Sequence, residues 1–129
     1  MAIRRETVSV TTAGGAGTST ATGKTTQPVH GIVKAIYWGA DVGAPATTDL
    51  VVAEAGQSPA IPVFSLTDTP AAGWYYPMKQ SNNAVGGAAL TNVGAEVAVA
   101  DHLSVTVNQA NNAQVFAVTI VWDDKRGNT

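Results

Sequence analysis

The chain has no cysteine among its 129 residues. That excludes a disulfide-stapled scaffold, thiol catalysis and thiolate metal sites. Charge is scarce as well: Asp, Glu, Lys and Arg together make up 12%, about half the usual share. The formal net charge of −2 leaves no basic field, which argues against a nucleic-acid binder working through phosphate neutralisation. There are two histidines, His30 and His102, and neither lies at a short ligand spacing from another strong ligand, so no metal or other cofactor is expected. No apolar run is long enough to cross a membrane, and none follows Met1–Arg5 as a secretion signal would. The expectation is a protein that folds in the cytoplasm where it is made. Also missing is any apolar stripe at helical spacing.

What recurs instead is alternation with period two, over runs rich in Val, Thr and Ala. Val8 and Val10 point one way within Thr7–Thr11. From Val29 to Trp38 the pattern puts Val29, Val33, Ala35 and Tyr37 on one face, with His30, Ile32, Lys34, Ile36 and Trp38 on the other. Asp49–Glu54, Ile61–Leu66 and Gly73–Tyr76 read as further short strands. Leu103, Val105 and Val107 alternate with Ser104, Thr106 and Asn108. The last run places Phe116, Val118, Ile120 and Trp122 on one face, and its other face is apolar enough to predict a central, covered strand. Turn signals separate these runs at Gly39–Pro45, Glu54–Pro59, Thr67–Pro70, Ser81–Gly87 and Gln109–Asn112. Short strands at this spacing predict an all-β fold, a single β-sandwich of jelly-roll-like or Greek-key order. One domain is expected overall: residues 1–28 as an N-terminal arm or edge strands, and 29–129 as the sandwich. Ala13–Thr26, rich in Gly and Thr without a large apolar side chain, reads as a loop, an edge hairpin or a flexible arm. With Met1–Thr26 taken as an arm, removing the residues before Val29 is expected to leave the fold intact.

Candidate chemistry is thin. Gly17–Thr25 has the look of a phosphate-binding loop, but the spacing between Gly17 and Gly23 is one residue too long and a β pattern follows where a helix should start. Asp101, His102 and Ser104 invite a triad reading, yet on a strand His102 and Ser104 would stand about 7 Å apart with Asp101 on the opposite face. The Asp41–Asp49 loop lacks the alternating oxygen ligands of a calcium site. No catalytic residue is assigned, and the chain is expected not to be an enzyme. Trp74, Tyr75 and Tyr76 are the strongest binding candidates: neighbours on a strand face opposite ways, so one side fills the core while the other meets a partner. Arg4 and Arg5 form a small basic spot near the N-terminus and are secondary partner-binding candidates.

The Trp74-Tyr75-Tyr76-Pro77 turn leads through a polar, Gly-containing loop to Ala88-Ala89-Leu90. Glu96 to Val107 and the closing Val118–Trp122 strand follow. Together these resemble the small β-sandwich decoration, or cement, proteins of tailed-bacteriophage heads, over roughly the C-terminal half. The resemblance implies a virion structural protein on the capsid surface, made in the host cytoplasm, that clamps neighbouring major capsid proteins. It implies a homo-oligomer, trimer or dimer, because capsid axes are symmetric, and it supplies no catalytic residues. A phage tail or head-fibre component, or a carbohydrate- or surface-binding β-sandwich that stacks its aromatics on sugar rings, is the alternative.

Overall fold

The computed structural model describes residues 2–56, 61–82 and 89–125, with backbone alone over 79–82 and 89–95. The described residues form ten strands and no helix: β1 (Ala2–Thr11), β2 (Ser19–Lys24), β3 (Val29–Gly39), β4 (Asp49–Glu54), β5 (Ile61–Leu66), β6 (Gly73–Tyr75), β7 (Met78–Asn82), β8 (Ala89–Asp101), β9 (Leu103–Ala110) and β10 (Val115–Asp124). The first sheet runs β1-β10-β3-β8-β7, with β6 also paired to β3, and the second runs β2-β9-β4-β5. Every pairing is antiparallel. The pairings nest from the outside in: β1 with β10, β2 with β9, β3 with β8, β4 with β5. A long hairpin rolled onto itself gives this order, so the sandwich is a jelly roll, with β6 and β7 inserted before β8.

Alternate residues fill the space between the sheets. Phe116, Val118, Ile120 and Trp122 of β10 are fully buried, as are Leu103, Val105 and Val107 of β9 and Leu50 and Val52 of β4. The Trp38 and Phe116 rings stack with centroids 5.2 Å apart and planes 8° from parallel. Trp38 Nε1 donates to the Thr69 carbonyl at 2.9 Å, so the indole fills the core without an orphaned donor. Truncating either ring would cost about 3–5 kcal/mol.

The structure answers three expectations, two of them with a correction. First, strict alternation fails in β3: Val29 and Val33 are buried, but so are Ile36 and Trp38, while Tyr37 and Ala35 face outward with Lys34. A β-bulge is the cause. Val121 pairs with Ala35 and Trp122 with Val33, so Lys34 is the extra residue and the pattern changes phase there. Second, of the two readings of the N-terminal segment, edge strands are what forms: β1 is the edge strand of the first sheet and β2 of the second. Val8 and Val10 belong to the core. A Cβ on Gly23 would stand 2.9 Å from Val10 and 3.0 Å from Val8, so β2 closes on β1 where only a glycine leaves room. Third, β10 lies inside its sheet between β1 and β3, yet its outward face is open: Val115 is 53% exposed, and Ala117, Thr119 and Val121 are partly so. The turns expected over 57–59 and 83–87, and Ala88, lie outside the described residues.

Gly31 is demanded by geometry. Its φ is +135°, and a Cβ there would run into the Asp123 carbonyl of β10.

A chain beginning at Val29 would lose the β1 ladder on β10 and two core valines. It is expected to show no cooperative thermal transition by circular dichroism, whereas survival of a transition near that of the full chain would mean β1 and β2 contribute nothing to the core.

Candidate interaction surface

The outward face of the first sheet carries the aromatic cluster. β8 pairs with β3 only over Val29–Val33, and β6 takes the same edge of β3 over Ile36–Trp38. That tandem arrangement sets Trp74 directly across from Tyr37, with ring centroids 5.1 Å apart and planes at 56°. Tyr75 points inward and packs on Phe64 at 5.5 Å. Trp74, Tyr76 and Met78 remain 47%, 70% and 61% exposed. Met78 pairs with Glu96, and Glu96 accepts from Lys34 Nζ at 3.0 Å across the sheet. Ile32 and Ala98, paired on β3 and β8, continue the face. Met78, Lys34, Glu96 and Tyr37 could not be assigned to this patch from sequence, because it takes three strands far apart in the chain to bring them together.

Arg4 and Arg5 diverge. Arg4 turns toward the sandwich end and donates from Nε to Asp124 at 2.5 Å, so it is committed to the fold. Arg5 is exposed on the edge strand. Of the closing carboxylates, Asp124 takes Arg4 and Asp123 takes Lys125 at 3.0 Å.

The catalytic look-alikes are occupied by structural bonds. Gly17 N–H donates to Asn111 Oδ1 at 2.9 Å and Gly14 N–H to Asn112 Oδ1 at 3.3 Å, so the glycine-rich segment is tied to the β9–β10 turn by its own amides. Ser104 Oγ donates to the Ala53 carbonyl at 3.3 Å instead of meeting His102. Asp41 accepts from Gly43 and Val115 N–H, and Asp49 from Asp68 N–H and Gln109 Nε2. Among the described residues no group of three or more His, Asp or Glu is placed to hold a metal ion.

Asp101 marks the corner where the chain leaves one sheet for the other. Its carboxylate accepts from His102 N–H at 2.7 Å and from Gly56 N–H at 2.9 Å, and His102 Nδ1 lies 3.6 Å away. The His102 N–H above all, with smaller help from Gly56 N–H and the imidazole, holds this carboxyl below the ordinary aspartate range against the opposing effect of partial burial. Nearby, Glu54 accepts from Ala100 N–H at 2.8 Å, tying β4 to β8 across the sandwich.

The edge strands β1, β2, β5, β6 and β7 are poor templates for strand addition, β6 because it is only three residues long. β1 carries Arg4, Arg5 and Glu6, β5 carries Pro62, and β2, β5 and β7 each show a register shift against their partner. The aromatic face of the first sheet is therefore the prominent apolar surface that the described residues offer to a partner. Set against known proteins, the chain matches no family model and no curated sequence.

A depressed carboxyl contributes stability above its unfolded pKa, and that contribution is lost as the pH falls through the folded value. Asp101→Asn should therefore lower the Tm at pH 7 relative to wild type, and the two melting curves should converge as the pH drops below about 4. A difference that stays constant from pH 7 to acid would show that the charge of Asp101 is not what pins the corner.

Proposed function

We propose that the chain is a virion structural protein, a decoration protein that binds the outer surface of a phage head and stabilises contacts between major capsid proteins. The observation that carries this reading is an aromatic outer face, Trp74, Tyr76 and Met78 beside Tyr37, on a jelly roll with blunted edges. Large, stiff aromatic side chains on a rigid sheet add interface energy at little entropic cost. Blunted edges direct assembly through faces, which keeps it finite and specific. Jelly rolls recur in viral capsid proteins, an analogy of fold that supports the reading. The scarcity of charge also suits a surface that is covered in an assembly. In this role the subunits form a homo-oligomer around a capsid axis.

A second reading, a carbohydrate-binding module, draws on the same half-exposed Trp74, whose ring could stack on the apolar face of a sugar.

Mass spectrometry of density-banded phage particles tests the first reading. Copies comparable in number to the major capsid protein are expected, and a handful of copies would move the protein to the tail or a head fibre. Complete absence from particles would overturn the reading, and glycan binding abolished by Trp74→Ala would establish the second one. Trp74→Ala and Tyr76→Ala should each reduce particle incorporation while changing stability by under about 1 kcal/mol, as expected for side chains outside the core.

A further inference from the structure

The aromatic face has a charge pattern that selects its occupant. At its middle, Lys34 of β3 and Glu96 of β8 stand side by side with side chains 41% and 59% exposed. Around them lie uncharged residues: Tyr37, Trp74 and Met78 on one side, Ile32 and Ala98 on the other. In a two-fold interface, residue i of one copy meets residue j of the other and j meets i. A patch bearing one sign of charge would repel its own copy. A patch with one cation and one anion on neighbouring strands is complementary to itself, because a half-turn about an axis between them brings each over its opposite.

We propose that this face closes on a second copy of the chain in a two-fold dimer, Lys34 of each copy meeting Glu96 of the other, with Trp74, Tyr37 and Met78 packed around the two ion pairs. The proposal rests on the assembly part of the reading above: the sister subunit is the occupant of this face, and particle incorporation depends on Trp74 and Tyr76 through the dimer they build. Exchanging partners costs little, since an exposed ion pair within one chain is worth only about 0–1 kcal/mol. The whole outward face of this sheet, five strands about 4.8 Å apart read over roughly eight residues of about 3.4 Å each, gives a footprint on the order of 600 Å², with the exposed Arg5 of β1 at its rim. That is the lower end of a stable interface, about 600 Å² per partner.

Sedimentation velocity on the full chain tests the dimer, using K34E, E96K and an equimolar mixture of the two. Wild type is expected to sediment at twice the 13.1 kDa mass of one chain. Each variant alone places like charges opposite each other and should dimerise at least about tenfold more weakly. Mixing them should restore wild-type affinity, because one chain then presents two anions and the other two cations. That rescue cannot come from folding, since neither chain changes its own sequence on mixing. A wild type that stays at the mass of one chain at about 100 µM, well above the dissociation constant of a specific interface of this size, overturns the proposal. So does a mixture no tighter than the single variants. A dimer that never appears on particles would remove the capsid reading and keep this one, while particle-bound monomers would do the reverse.

Discussion

One extra residue in β3 sets the arrangement on which the rest of the structure depends. The strand must line the core along its whole length, yet its apolar residues fall in two phases, Val29 and Val33 before Lys34 and Ile36 and Trp38 after it. The bulge opposite Val121 joins the phases, and a bulge also bends the strand and sharpens its twist. The edge of β3 is then shared, by β8 before the bulge and β6 after it. Lys34 is turned out beside Glu96, and Tyr37 is turned out beneath Trp74. Core continuity and the outward aromatic patch are thus two consequences of the same irregularity. Without the bulge Tyr37 would enter the core and Trp38 would leave it.

The nested pairing places a second demand on a chain with few charges. Rolling a hairpin into two sheets requires the backbone to cross between layers repeatedly, and each crossing leaves N–H groups without a ladder partner. The carboxylates supply the acceptors. Glu6 takes Thr26 and Gln27 N–H, Asp41 takes Gly43 and Val115, Glu54 takes Ala100, and Asp101 takes Gly56 and His102. A hydrogen bond from a backbone N–H to a carboxylate is stronger than one between neutral groups. A small number of acids placed at the corners therefore goes further than many spread over the surface. The same commitment explains why acid-containing motifs that invite a catalytic reading hold turns instead.

How much of this was legible in the sequence follows from which interactions are local. Period-two alternation is a property of a few consecutive residues, so Phe116 to Trp122 and Leu103 to Val107 could be assigned to the core, and the split of Tyr75 from Trp74 and Tyr76 could be anticipated. The all-β sandwich followed from the strand and turn pattern. The bulge at Lys34 could not be read, because it is defined by its register against β10, nearly ninety residues away. β2 could be read only as one of several alternatives, an edge hairpin beside a loop or an arm, because its inward residues Ser19, Ala21 and Gly23 are small and give no apolar alternation. The patch was half visible: its aromatics are consecutive, but Lys34, Tyr37, Met78 and Glu96 join them only through the nested strand order.

That order also bears on how such a domain can assemble. A sheet edge binds any extended segment, since the backbone groups it offers are the same in every protein. A face binds only a surface whose shape and charges match. Here each edge is short or interrupted by charge, proline or a register shift, while the face over β3, β6 and β8 is kept apolar around a single ion pair. A sandwich built this way resists indiscriminate growth through its strands and concentrates recognition on a small, rigid area. In the proposed role that combination is what a shell component needs: it must stay soluble at high concentration before assembly and then meet a defined neighbour in a fixed orientation. The bulge that resolves the packing of the core is therefore also what points the recognition residues outward, so substitutions that straighten β3 would remove both together.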